Sequence, residues 1–194
     1  GDGVGGFGAA RSFPGGSDPR ALLVADADGD GHLDILAAGY HSALLLFIPG
    51  NGDGSVGRAR QFPAGPSPGP LAVGDLDADG HLDVLAGATA QVSLLGGDGT
   101  GNFAAVRAHP TGIYPNSIVL ADLDANGVLD FVTASQSSGG LSAALGNGDG
   151  SFQPTVETFW GHNVSGVAIG ELTGDGTLDA VVANSDYTRN LFFI

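Results

Sequence analysis

The sequence predicts an all-β chain, a β-propeller of four four-stranded blades, and three observations carry that prediction. One acidic phrase recurs four times, as DADGDGHLDIL from Asp26, DLDADGHLDVL from Asp75, DLDANGVLDFV from Asp122 and ELTGDGTLDAV from Glu171, at intervals of 49, 47 and 49 residues. A glycine-rich phrase alternates with it, as GNGDGSVG at Gly50, GGDGTGNF at Gly96 and GNGDGSF at Gly146, and a clipped copy, GDGVGGF, opens the chain. Between these phrases lie only short apolar runs rich in Leu and β-branched residues, bounded by Gly, Asp and Pro turns, which leaves no room for helices. Repeated four-stranded units of about 40 to 50 residues are blades arranged around an axis.

The second repeat sets out the elements in order. Its strands are expected at Leu71–Gly74, Val84–Ala88, Gln91–Leu95 and Phe103–Ala108. The chain begins with a turn and a fourth-strand sequence, Phe7–Phe13, and ends with a third-strand sequence, Asn190–Ile194. The last blade is therefore expected to be closed by the N- and C-terminal strands together, which would remove a sheet edge open to aggregation. The alternative is that the four repeats are part of a larger propeller. Residues 1–194 are read as one domain of four repeats of about 48 residues, a size within the usual range for a single core.

Composition narrows the function classes. Thirty-five Gly and 10 Pro are spread along 194 residues of which 42% are apolar, which fits many short elements joined by tight turns and argues against disorder. The formal charge is −15, from 21 acidic residues against six Arg and no Lys, so nucleic acid and anionic membrane surfaces would be repelled and cations are the expected small partners. With no Cys, there is neither a disulfide, a thiolate nucleophile nor a Cys-ligated zinc site. No apolar run approaches the roughly 20 residues of a membrane-spanning helix, so no direct insertion is expected. The chain opens on Gly1 without a Met or signal segment, as a processed or excerpted chain would.

In each long phrase, side-chain oxygens fall at positions 1, 3, 5 and 9, with Gly at position 6. Alternate side chains of a tightly turning loop converge on one point, Gly permits the bend, position 7 offers its carbonyl, and hard oxygens select Ca²⁺ over metals that prefer softer ligands. The start resembles an EF-hand loop, but the last carboxylate comes three positions early and strands flank it. Turn-forming Asp and Gly alone would explain one such loop; four in register need more. The short GDG turns at Asp53, Asp98 and Asp149 are read as hairpin turns.

The pattern D-x-D-x-D-G-x-x-D between strands, at this period, resembles the FG-GAP/VCBS repeats of integrin α-subunit propellers, fungal propeller lectins and bacterial surface proteins. Over essentially the whole chain, the resemblance implies calcium sites. The first takes Asp26, Asp28, Asp30 and Asp34 with the His32 carbonyl, and the second Asp75, Asp77, Asp79 and Asp83 with the His81 carbonyl. The third takes Asp122, Asp124, Asn126 and Asp130 with the Val128 carbonyl, and an amide there supplies less charge and weaker binding. The fourth, Glu171, Thr173, Asp175 and Asp179 with the Thr177 carbonyl, departs from the pattern at its first two positions. Ions held this way are expected to stabilise the fold. The His32 and His81 imidazoles are read as solvated.

Strand alternation sorts the loops onto two faces. The acidic loops and GDG turns share one; the other is expected to display Tyr40, His41, Tyr114, Asn116, Trp160, His162, Asn163, Tyr187 and Arg189, which include all three Tyr and the single Trp. Aromatic and amide groups on a rigid scaffold suit recognition, although each alone could simply cap a strand. Asn163-Val164-Ser165 also fits a glycosylation sequon, a triplet common by chance. The expected function is a calcium-stabilised, non-catalytic binding or scaffold module, compatible with membership of a larger assembly. The unequal loops favour a protein partner over a glycan. The alternatives are a lectin or a carbohydrate-active, lyase-like enzyme, for which His41, His162 and Arg189 are the available acid–base and charge-stabilising groups. Sites of this kind suit a secreted, cell-surface or periplasmic setting, where calcium is plentiful.

Overall fold

The computed structural model describes residues 3–13, 18–137, 139–159, 163–184 and 191–193. Among them there is no helix. The first unit comprises β1 (Pro19–Ala25), β2 (Asp34–Gly39), β3 (Leu44–Ile48) and β4 (Arg60–Pro63). The second comprises β5 (Leu71–Gly74), β6 (Asp83–Ala88), β7 (Gln91–Leu95) and β8 (Arg107–Pro110), and the third β9 (Pro115–Ala121), β10 (Asp130–Ser135), β11 (Gly140–Ala144) and β12 (Val156–Phe159). The fourth comprises β13 (Val164–Gly170), β14 (Asp179–Asn184) and β15 (Leu191–Phe193). Each unit is its own antiparallel meander, giving three four-stranded sheets and one three-stranded sheet among the described residues. The first strands form an inner row, with β1 beside β5, β5 beside β9 and β9 beside β13. This is a β-propeller-like arrangement in which no sheet closes on itself.

Sheets pack face to face through interleaved apolar clusters. Leu36, Leu45 and Phe47 of the first unit meet Val84, Ala86 and Leu95 of the second. Leu85, Val92 and Leu94 of the second meet Ile118, Phe131 and Ala144 of the third. Val132, Ala134 and Leu141 of the third meet Val164, Val167 and Val182 of the fourth. The second strands are thus covered on both faces, which is why DVLAGA and DFVTAS read as continuous small and apolar runs instead of alternating.

Two expectations need correction. The outer strand of the second unit begins at Arg107, not Phe103. Phe103 makes only a bridge to Gly97, and the ladder resumes with Arg107 opposite Leu94 after a one-residue slip in register. The bridges Gly50–Val56 and Gly146–Phe152 show the same slip before β4 and β12, so each hairpin carries a bulge that releases residues from the ladder. The second correction concerns closure. Residues 7–13 form no strand and do not complete the last sheet; instead Arg11 Nη1 donates to the Gly54 carbonyl of the first unit at 3.1 Å. A strand needs a partner edge, and residues 7–13 make no β-bridge to any described strand.

Candidate functional site

The acidic loops join the first and second strands of each unit, and the same local chemistry builds them. The position-1 Asp caps the turn: Asp26 accepts from the Asp30 and Gly31 amides, Asp75 from those of Asp79 and Gly80, and Asp122 from those of Asn126 and Gly127. The position-6 glycines Gly31, Gly80 and Gly127 have φ of 88°, 88° and 86°, a left-handed bend that L side chains resist. The position-9 Asp is buried and ties two turns together. Asp83 accepts from Leu76 N at 2.8 Å through Oδ2 and from Gly97 N at 2.8 Å through Oδ1, and Asp34 and Asp130 do the same in their units. The acidic loop and the GDG hairpin are thereby locked into one end of the sheet.

Three carboxylate groups result. Asp26, Asp28 and Asp34, then Asp75, Asp77 and Asp83, then Asp122, Asp124 and Asp130 each bring one carboxylate oxygen from every member within 4.8 Å of the others. Oδ1 of Asp28 and Oδ1 of Asp77 are buried without a hydrogen-bond partner. Buried carboxylate oxygens are costly unless paired, so each group fits a cation bound by hard oxygen donors. Burial, with the nearby charges of Asp34 and Asp30, holds the Asp28 carboxyl above its ordinary range; burial also raises Asp83, against two lowering amide hydrogen bonds. The position-5 side chains stand apart from these groups: Asp30, Asp79 and Asn126 each accept from the amide two residues on, at His32, His81 and Val128.

The fourth loop is arranged differently. Glu171 accepts from the Gly174 amide, Asp175 Oδ1 from Thr177 N at 2.8 Å and Thr177 Oγ1 at 2.6 Å, and Asp179 Oδ2 from Leu172 N and Thr173 N. Among the described residues these carboxylates do not converge.

The position-7 side chains have a packing role that residue type alone did not signal. The His32 imidazole lies where a Cβ on Gly52 would stand, 2.4 Å from Nδ1, and His81 occupies the same place against Gly99. Both rings are exposed, yet each rests on the neighbouring GDG turn. Those turns are hairpins, closed by Asn51 N to Ser55 O, Asp98 N to Asn102 O and Asn147 N to Ser151 O. Their Asp side chains accept from Ser55, Thr100 and Ser151, hydrogen bonds that hold Asp53, Asp98 and Asp149 below the usual carboxylate range.

At the opposite ends of the strands, Tyr40, Tyr114 and Asn116 line one cleft of about 650 Å³ between the inner strands of the first three units, together with Arg20, Ser67 and Gln136. The Arg20 guanidinium lies 4.6 Å over the Tyr40 ring, and His41 Nδ1 is 2.9 Å from Asp18 Oδ2. Asn116 Nδ2 donates to Gln136 Oε1 at 3.3 Å, and Asn163 N donates to the Gln136 carbonyl at 3.3 Å. Asn163 is thus brought to the same side. Trp160, His162, Tyr187 and Arg189 lie outside the described residues. Arg20, Asp18 and Gln136 were not singled out from sequence; the only signal for them was their place on strand ends beside the aromatic loops.

Comparison with known proteins agrees with this architecture. A lectin of Agrocybe aegerita, described as specifically recognising non-reducing terminal N-acetylglucosamine, superposes with a TM-score of 0.60 at 26% identity, over 85% of this chain and 46% of that one. BBS1N, solved in complex with ARL6DN, gives a TM-score of 0.62 at 12% identity, over 92% of this chain and 55% of that one. A Photorhabdus luminescens Tc holotoxin pore gives 0.51 at 16%, over 89% of this chain and 9% of that one. The chain therefore spans only about half, or less, of the length of these structures. Among curated proteins no match is found. The profile of the FG-GAP-like repeat matches residues 26–86 and 122–182, more than half of the sequence, and the chain belongs to that repeat family.

Proposed function

We propose that the chain is a calcium-stabilised binding module, one domain in organisation and working outside the cytoplasm, whose cleft face docks a protein partner. The observation that carries this reading is the separation of its two ends. The acidic loops and hairpin turns are tied to each other by Asp34, Asp83 and Asp130, whereas Tyr40, Tyr114 and Asn116 meet round a cleft at the other ends of the strands. Calcium in the first three loops neutralises the apposed carboxylates and holds the strand ends in register, with Asp26, Asp75 and Asp122 and their loop partners as ligands. The fourth loop supports no ion in this reading. Aromatic rings and amides on rigid strand ends supply contact area at low entropic cost.

A glycan ligand is the second reading, favoured by the lectin neighbour at 26% identity and by the mixture of Tyr rings, amides and a guanidinium in the cleft. We read the module as non-catalytic; of the acid–base set His41 is the described member, at an exposed position with Nδ1 2.9 Å from Asp18 Oδ2. Two measurements test the proposal. A glycan array probed with the calcium-loaded chain should stay blank, and a photo-crosslinker placed at Ser67 should capture polypeptide in a manner abolished by Tyr114→Ala. Binding to terminal N-acetylglucosamine that is lost in Tyr114→Ala would replace the protein reading with the glycan one. Turnover of a polymeric sugar that His41→Ala abolishes would overturn the non-catalytic assignment.

A further inference from the structure

The sheet ends that carry the acidic loops and the GDG hairpins also meet across units. In the first two units the acidic loop lies against the hairpin of the unit that follows. A Cβ on Gly29, in the first loop, would stand 3.4 Å from the Gly99 carbonyl oxygen in the second hairpin. One junction further on, Gly150 N of the third hairpin donates to the Leu76 carbonyl of the second loop at 3.0 Å, and a Cβ on Gly150 would stand 3.5 Å from Asp77 Cβ. Both hairpins approach through a glycine with positive φ, 73° at Gly101 and 75° at Gly150. A side chain at Gly101 would collide with Arg60 and Phe47 of the first unit, so the fit is close.

An arginine on the outer strand spans each of these junctions. Arg60 of β4 donates from Nη1 to the Thr100 carbonyl at 3.0 Å and to Asn102 Oδ1 at 3.2 Å, both in the second unit's hairpin. Its Nη2 lies 3.9 Å from Asp28 Oδ2 in its own unit's acidic loop, and its Cζ stands 4.6 Å over the Phe47 ring. Arg107 holds the same register in β8, opposite Leu94 as Arg60 is opposite Phe47. It donates from Nη1 to the Asp149 carbonyl at 3.3 Å in the third unit's hairpin, and with Asp77 it lines a cleft of about 340 Å³. The third unit has Val156 in this register and so has no such arm. Asp28 thus faces two ways: Oδ2 turns to Arg60, while Oδ1 is the buried oxygen without a hydrogen-bond partner.

We propose that calcium in one unit's loop acts across the junction and fixes the hairpin of the next unit, with Arg60 as the positioning residue at the first junction. The inference rests on the reading of these loops as calcium sites. Without an ion, the apposed carboxylates of Asp26, Asp28 and Asp34 repel each other and leave Asp28 free to turn. An ion that holds Asp28 through its bare oxygen presents the other oxygen to Arg60 as a fixed partner. Each cation has its own oxygen, so the two do not compete for one atom. The guanidinium is a rigid planar fork, and fixing Nη2 therefore fixes the Nη1 that clamps Thr100 and Asn102. Position 9 ties each loop to its own hairpin, through Asp34, Asp83 and Asp130; position 3 ties the first loop to the hairpin of the second sheet. At the second junction the direct bond from Gly150 to Leu76 shares this work with Arg107. By linkage, the docked hairpin favours the ion to the same degree.

Hydrogen exchange on a chain with a single working site tests it. Asp77→Ala combined with Asp124→Ala leaves the first site alone, and native mass spectrometry should then count one calcium ion. Saturating that site should slow exchange of the 98–102 amides about fivefold, although the second loop holds no ion. Adding Arg60→Met, which keeps an apolar chain over Phe47, should bring the slowing below about twofold. The ion count should stay at one, and the 51–55 amides, tied through Asp34, should keep their calcium-dependent protection. Asp28→Ala with Asp124→Ala isolates the second site, and calcium should then slow exchange at 147–151, which repeats the test without touching Arg60. A chain that binds no calcium would overturn the calcium reading and this inference together. One bound ion with exchange at 98–102 unchanged, or a slowing that Arg60→Met leaves intact, would overturn the coupling alone.

Discussion

The loops of the second and fourth units share a length and a Gly at the bend, yet only the second brings its carboxylates together. In the second, Asp75, Asp77 and Asp83 point oxygens at one another, one of them buried without a hydrogen bond, and Asp83 is carried into the interior by two amide donors. In the fourth, Glu171, Asp175 and Asp179 are each satisfied by their own loop. The fourth loop differs by one extra methylene at position 1 and a neutral Thr173 at position 3. The longer side chain accepts from the Gly174 amide, and Thr173 supplies no carboxylate oxygen at position 3. The comparison teaches that a bend-forming Asp/Gly sequence and a cation site are separable: the bend survives where the site does not.

The largest effect that could break this comparison lies at position 9. Asp83→Ala leaves the buried Leu76 amide and the half-buried Gly97 amide without acceptors and should cost about 3 kcal/mol in the calcium-free chain, since each orphaned buried donor costs roughly 1–3 kcal/mol. Asp179→Ala, whose hydrogen bonds are exposed, should cost less than about 1 kcal/mol. Urea unfolding of both variants in chelator measures the difference, and equal losses would mean that the two loops are equivalent after all. Calcium comes next. Native mass spectrometry should count three ions, and chelation should lower stability by about 2.7 kcal/mol for each site held at a hundredfold excess over its dissociation constant. Glu171→Asp combined with Thr173→Asp should raise the count to four.

The direction of the pH response distinguishes the loops without any ion. In chelator, Asp28 and Asp83 have folded pKa values raised mainly by burial. Between about 3.8, the unfolded value, and the raised folded value, the native state holds more protons than the unfolded chain, so their contribution falls as pH rises through that window. Asp175 is lowered by the Thr177 hydrogen bonds. Its contribution is present above about 3.8 and fades as pH falls through the folded value. Asp83→Asn should therefore flatten the gain in stability on mild acidification, while Asp175→Asn should flatten the loss at lower pH, both read from denaturant midpoints in chelator. Calcium should reverse the first response, because protonation then competes with the ion.

Much of this was legible because each repeat is a local, periodic device. The spacing of Asp26, Asp75, Asp122 and Glu171 locates every loop, and the runs from Leu71, Val84 and Gln91 give three strands of the second unit nearly to the residue. The outer strands are less legible, since the one-residue slip between Phe103 and Arg107 falls within an unbroken run of small and apolar residues that does not mark it. Tyr40, Tyr114 and Asn116 were legible as one face from strand direction alone. Their cleft partners Arg20 and Gln136 were not, because they become neighbours only through the packing of separate sheets. The expectation that Phe7–Phe13 completes the last sheet rested on sequence match without knowledge of which edge lay within reach.

The smallest predicted effect concerns the backbone at position 4, where the four loops differ only by a methyl group. Gly29 and Gly174 have φ of 72° and 80°, while Ala78 and Ala125 hold φ of 60° and 58°. An L residue in this left-handed region is strained by about 1–2 kcal/mol, against an entropic cost of roughly 0.5–1 kcal/mol for introducing Gly. Ala78→Gly and Ala125→Gly should therefore stabilise the calcium-free chain by no more than about 1 kcal/mol, measured by urea midpoints in chelator. Gly174→Ala should destabilise the fourth loop by a similar amount. If calcium clamps the second and third loops, the gain from Ala78→Gly should persist in the loaded protein while its absolute stability rises, because the strain sits in the bend that the ion and the apo loop share. A gain that vanishes on loading would instead mean that the ion reshapes position 4, and that the bend and the site are coupled where the fourth loop suggests they are separate.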